Sequence, residues 1–166
     1  MTADEVKNLL QLEPLPMEGG FFRETYRSRW HVTAEYLPDG VRGSRSIGTA
    51  IYYMITPEAF SALHRLPGSE VFHFYAGDPV VMLQLLPDGS SQTVTLGADL
   101  VNGQQPQVVV RGHVWQGCRL ADGGAWALMG TTMSPGFDYA DYEKGERAEL
   151  VAQHPGAADL IRRYTR

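Results

Sequence analysis

Residues 61–78 read SALHRLPGSEVFHFYAGD. Two runs, FSALHRL (60–66) and EVFHFYA (70–76), flank the turn residues Pro67, Gly68 and Ser69. Each run has the length and the aromatic or aliphatic content of a β-strand, and the Pro-Gly-Ser break supplies the corner between them. The same stretch carries two histidines and a glutamate, so it raises the fold question and the site question together.

Working outward, the pattern repeats. FFRETYRSRW (21–30) alternates and is rich in aromatics, and IGTAIYYMI (47–55) is β-branched and aromatic. VVMLQLL (80–86) and SQTVTLG (91–97) flank PDGS, where Asp88-Gly89 is a hairpin signal. PQVVVR (106–111), HVWQGCRLA (113–121) and AWALMGTTM (125–133) follow, with DGG at 122–124 as a further turn. Short strands with turn signals every eight to twelve residues or so predict an all-β sandwich or barrel. Helices are expected only at the ends. Val6, Leu9 and Leu10 follow the i, i+3, i+4 rule, with Thr2 or Asp4 as cap, and EPLPMEGG (13–20) stops that helix. The tail reads as two short helical pieces broken at His154-Pro155-Gly156, with Leu150, Val151, Leu160 and Ile161 facing the barrel. One domain over 1–166, with a barrel core at about 19–142, accounts for the length.

Composition narrows the function classes. With 14 Lys and Arg against 19 Asp and Glu the formal net charge is −5. RETYRSR (23–29) and IRRYTR (161–166) are too short and diluted to form the basic footprint of a nucleic-acid surface. The lone Cys118 allows no intrachain disulfide and reads as a small core residue. No run reaches the ~18 apolar residues of a membrane span, and the N-terminus lacks a signal-peptide pattern. The expected setting is the cytoplasm, with no nucleic-acid or membrane partner.

Several blocks, in order, carry a resemblance. LLQLEPLPMEGGFFRETYRS (9–28) joins a leucine-rich helix to a Pro-x-Glu-Gly-Gly-aromatic pattern, and TAIYYMI (49–55), HRLPGSEVFHFYAGDPV (64–80), LGADLVNGQQPQVVVRGHVWQG (96–117) and TMSPGFDYADYE (132–143) follow. The chain resembles the cupins, and among them the small DUF985, or cupin-5, family. The resemblance implies a double-stranded β-helix, a jelly-roll barrel with a small-molecule pocket in its mouth, and a homodimer. It implies no particular reaction.

The cupin metal motifs can be counted against this chain. The first has two histidines one residue apart, then a glutamate, then a glycine seven positions later. His64, Glu70 and Gly77 keep their places, and Leu66 stands where the second histidine would be. The second motif has a histidine three residues after a glycine, and counting from Gly112 lands on Trp115. His64 and Glu70 alone fall short of the three protein ligands of a catalytic zinc or two-His-one-carboxylate iron site. No cofactor is therefore expected, and a divalent metal, if held, would fall to His64 and Glu70. His73 lies three residues from Glu70, on the opposite face of a regular strand unless a bulge intervenes.

Catalytic candidates are His64 as base, Glu70 to orient or charge it, and Tyr52 or Tyr53 as the opposing acid, since alternation turns one of the two tyrosines inward. Ligand-binding candidates are Glu18, Arg23, Glu24, Arg65, His73, His113 and Trp115. Arg23 and Glu24 should point to opposite faces. The Glu18–Glu24 block reads equally as pocket wall and as a charged dimer-edge strand. Trp115 reads either as a flat wall for a sugar or heterocycle or as plain core. His31 and His154 read as surface residues. Three functions remain open: metal-independent epimerase or isomerase chemistry on a carbohydrate-like molecule, non-catalytic binding in the same pocket, and a metal-dependent cupin enzyme.

Overall fold

The computed structural model describes residues 1–37, 39–41 and 43–166. Helix α1 (Ala3–Leu10) starts in a capping box: the Thr2 hydroxyl accepts from the Glu5 backbone, and the Glu5 carboxylate accepts from the Thr2 backbone. Of the two expected caps, Thr2 is used. Val6 packs against Leu12 and Met54, whereas Leu9 is 71% exposed. A short helix on the outer face of a sheet covers only one stripe, so the third residue of its apolar pattern stays in solvent.

The strands are β1 (Glu13–Pro14), β2 (Phe21–Arg27), β3 (His31–Val32), β4 (Arg45–Ser46), β5 (Thr49–Ile55), β6 (Ser61–Arg65) and β7 (Glu70–Gly77). They continue as β8 (Val80–Leu85), β9 (Ser91–Leu96), β10 (Gln107–Val110), β11 (Trp115–Leu120), β12 (Ala127–Met133) and β13 (Glu143–Lys144). One antiparallel sheet has the order β1-β2-β5-β12-β7-β10, the other β13-β6-β11-β8-β9, and β3 pairs with β4 alone. The opening stretch is therefore no hairpin. Pro67-Gly68-Ser69 carries the chain from β6 in one sheet to β7 in the other. The passage from β10 to β11 does the same. This alternation between sheets makes the architecture a jelly-roll barrel. The hairpin expected at Asp88-Gly89 does form, between β8 and β9, with Gly89 at φ +86° and the Asp88 carboxylate accepting from the Ser90 backbone.

Alternation turns Tyr53 and Ile55 of β5, Phe72 of β7, Met82 of β8, Cys118 of β11 and Met129 of β12 into the space between the sheets, where they form one buried core. Each such side chain stabilises the fold by roughly 1.5–3 kcal/mol through burial. A second core lies behind the five-stranded sheet. Leu63, Leu85 and Trp115 meet Leu150 of α2 (Arg147–Gln153) and Ile161 and Tyr164 of α3 (Ala158–Tyr164). The tail does break at residues 154–156, through a 3-10 turn over Pro155–Ala157. His154 corrects the expectation of a surface histidine. It is 5% exposed, at the break between α2 and α3, on a groove it shares with Leu85, Pro87 and Trp115.

Candidate ligand cavity

A cavity of about 220 Å³ opens at the end of the barrel where β5 and β7 begin and β12 finishes. Its walls are largely hydrocarbon: Leu15, Phe22, Ile51, Leu66, Met133 and Phe137. Polar groups enter at two levels. Deep in the barrel are the Glu18 and Glu70 carboxyls and Thr131, and nearer the β2 edge are Glu24 and Arg27.

The loop carrying Glu18 depends on its two glycines. Gly19 and Gly20 have φ +101° and +75°, in the left-handed region that favours glycine. A Cβ on Gly20 would lie 2.7 Å from the Met54 carbonyl oxygen and 2.8 Å from the Tyr53 ring. This close approach lets the loop fasten to both sheets. The Glu18 carbonyl accepts from the Ala62 backbone at 3.0 Å, and the Gly19 carbonyl accepts from the Tyr53 hydroxyl at 2.8 Å.

The polar groups form a connected buried cluster. Gln116, opposite His64 across the β11–β6 pairing, donates from Nε2 to Glu70 Oε2 at 2.6 Å. The same amide nitrogen lies 3.4 Å from His64 Nε2. His64 Nδ1 is 2.8 Å from the Ala62 carbonyl. That oxygen can only accept, so Nδ1 carries a proton, and Nε2 is the ring nitrogen turned toward Gln116. Glu18 Oε2 lies 3.6 Å from the same Nε2, and Glu18 Oε1 accepts from Ser61 at 2.6 Å. Tyr142 stacks on the His64 ring with centroids 5.1 Å apart. Burial pushes the Glu70 carboxyl up to about 7, with the nearby Glu18 adding to the push. The charge of His64 and hydrogen bonds from Thr131 and Gln116 pull it back toward the ordinary range. Gln116 Oε1 is buried without a hydrogen-bond partner among the described residues.

The structure separates the sequence candidates into three groups. Glu18, Glu24 and Glu70 line the cavity. His64, 1% exposed, sits behind it. Of the two tyrosines, Tyr53 turns inward, but its hydroxyl is committed to Gly19, and burial, then Glu18, raise its pKa well above the phenolic value. Tyr52 lies on the outer face, beneath the Arg23 guanidinium and edge-on to Tyr75. Arg23 shares that face and Glu24 the inner one, as alternation requires. His73 is also outside, 3.0 Å from the Thr132 hydroxyl and stacked with Tyr75. The register shift on β7 falls beyond His73, so it does not bring His73 round to Glu70.

Arg65, His113 and Trp115 form the third group, around an external groove that also reaches His154. Trp115 belongs to the core under the C-terminal helices, and Arg65 caps its ring at 4.5 Å while pairing with Glu143. The residue that faces the barrel interior on β11 is Gln116, one place later than counting from Gly112 suggests. His113, at φ +65°, belongs to the turn that resets the alternation. Sequence counting missed Gln116 and Thr131 because neither resembles a ligand by type. Facing in the alternation of β12 would have exposed Thr131, two places from both Met129 and Met133.

These donors do not fit a metal. Among the described residues, no three His, Cys, Asp or Glu side chains converge on one point. An amide nitrogen, which has no lone pair to offer a cation, occupies the space between His64 and Glu70, and Leu66 brings hydrocarbon to the remaining position.

This fold and this cavity are those of a cupin. The family model described as Cupin superfamily (DUF985) matches residues 4–145, and the chain belongs to that family. It is 30% identical over 141 residues to the uncharacterized protein YML079W of Saccharomyces cerevisiae, covering 78% of this chain and 69% of that one. A hypothetical protein from Leishmania major superposes with a TM-score of 0.90 at 33% identity, covering 99% of both chains. Protein SO0799 from Shewanella oneidensis gives 0.86 at 31% identity, covering 100% of this chain and 98% of that one.

Proposed function

We propose that the barrel cavity binds a small organic molecule and that Glu70 exchanges a proton with it in a metal-independent epimerase or isomerase reaction. The observation that carries this reading is a carboxyl buried in an apolar cavity, held by Gln116 and poised near 7. Such a group is present in both forms at neutral pH, which suits proton abstraction beside a carbonyl and its return. Glu18 is the second carboxyl in reach of a bound molecule, with His64 Nε2 3.6 Å behind it. His64 holds the cluster in place in this reading, because its Nδ1 is tied to Ala62 and its ring is covered by Tyr142.

The test is exchange of carbon-bound hydrogen in D₂O, followed by NMR, with hexoses, pentoses, sugar phosphates, 2-oxo acids and amino ketones. At least one class should exchange, and Glu70→Gln should slow it at least ~100-fold. A molecule that binds in the cavity without exchange would instead make this a non-catalytic binding protein. That second reading draws support from Tyr53 and His64, whose polar atoms are already committed inside the protein.

A further inference from the structure

The cavity also limits what it can hold. Its walls are largely hydrocarbon, with the rings of Phe22 and Phe137 among them. Its charged lining is mainly acidic: among the described residues, three carboxyl groups, Glu18, Glu24 and Glu70, face one guanidinium, Arg27, with the hydroxyl-bearing residues Thr49, Thr131 and Tyr139 beside them. That guanidinium is occupied: it donates to Glu24 through Nε at 3.0 Å and Nη2 at 2.7 Å, and to the Phe137 carbonyl through Nη1 at 3.1 Å. Outside that lining, Gln116 Nε2 is spent on Glu70, and Gln116 Oε1, on a side chain 2% exposed, has no hydrogen-bond partner among the described residues. A phosphate or carboxylate placed here would meet like charge and, among the described lining residues, no unpaired cation. A nitrogen head with several N–H donors would meet acceptors.

We infer that the cavity selects a small ligand with an apolar, ring-sized body and a protonated nitrogen head, of the amine or amidine class, and excludes anions. This rests on the cavity being the ligand site, as proposed above, but not on any catalysis there. The Glu18 and Glu70 oxygens receive the head, and Phe22, Ile51 and Met133 enclose the body.

The experiment uses the intact protein and four probes of one shape: benzamidine, benzylamine, benzyl alcohol and benzoate. Affinity is read by titration, and location by backbone NMR shifts at Ile51, Thr131 and Met133. Benzamidine or benzylamine should bind in the cavity at least tenfold more tightly than benzoate, and Glu18→Gln should erase most of that margin while leaving benzyl alcohol unchanged. Benzoate binding in the cavity as tightly as benzamidine, benzyl alcohol binding there more tightly than both cations, or no cation shifting those residues, would overturn the inference. The wild-type comparison decides it even if the variant folds poorly. Benzyl alcohol or benzoate shifting Thr131 when neither cation does would overturn the charge preference while keeping the cavity as a binding site. Cation binding without hydrogen exchange in any substrate would sink only the catalytic reading.

Discussion

Glu70 shows how one residue links burial to behaviour. A carboxyl buried in the barrel beside Gln116 and Thr131 loses its hydration, and the hydrogen bonds they donate restore only part of it. Its pKa is therefore raised in the fold, from 4.5 to about 7. The sign of the linkage follows. Between those values the folded protein binds more protons than the unfolded chain, so stability contributed by Glu70 is full below pH 4.5 and is lost as the pH rises through 7. A shift of that size corresponds to roughly 3 kcal/mol. Glu70→Gln keeps the shape and cannot ionise. Urea denaturation from pH 4 to 8 should show the variant equal to the wild type at the acid end and more stable at pH 8, by up to ~3 kcal/mol. Parallel curves for the two proteins would mean that Glu70 is better solvated than its surroundings indicate.

At the scale of elements, the five-stranded sheet depends on the two C-terminal helices. Without them Leu63, Leu85 and Trp115 would present an apolar face to water. α3 is fixed by Ile161, which is fully buried, by the Tyr164 hydroxyl donating to the Val81 carbonyl at 3.0 Å, and by the Arg147 guanidinium donating to Thr165 at 2.8 Å. Ile161→Ala should cost about 2–5 kcal/mol, measured as a lower melting temperature, because a close-packed site between helix and sheet cannot collapse around the missing atoms. The ligand cavity lies on the far side of β6 and β11, so affinity for whichever probe it binds should stay within about twofold at a temperature where the variant is folded.

The barrel as a whole leaves some apolar surface uncovered. Trp30 and Tyr36 are each 77% exposed and lie either side of β3, with Tyr26 and Ile47 also in solvent nearby in the chain. Edge strands and such aromatics are commonly covered by a second copy. We propose the homodimer expected from the family, and light scattering at micromolar concentration should give twice the 18.4 kDa of the chain. Trp30→Glu should then shift the population toward monomer, and a wild-type monomer at all concentrations would refute the pairing. Among the described residues no helix is long and apolar enough to cross a membrane.

Strand positions, the capped first helix, the broken tail and the Asp88-Gly89 hairpin were legible because each is written in local terms: alternation, turn residues, capping residues. So was the loss of two metal positions, since Leu66 and Trp115 are plain in the counting. Which strands pair was beyond those local terms. Nothing near Pro67-Gly68-Ser69 says that β6 and β7 part into different sheets rather than closing a hairpin. That choice depends on burying both sheets' inner faces at once. Nor could counting settle the facing of β11, because the turn at Gly112 and His113 shifts the alternation by one place. Only the packed barrel puts Gln116 between His64 and Glu70, sends Trp115 outside, and brings Glu18 to residues more than forty positions away. The sequence by itself determined an all-β cupin barrel with half a metal motif. The tertiary structure decided that the remaining half is a hydrogen-bonded carboxyl cluster at the edge of an apolar cavity, because the enclosure that raises Glu70 exists only when both sheets close around it.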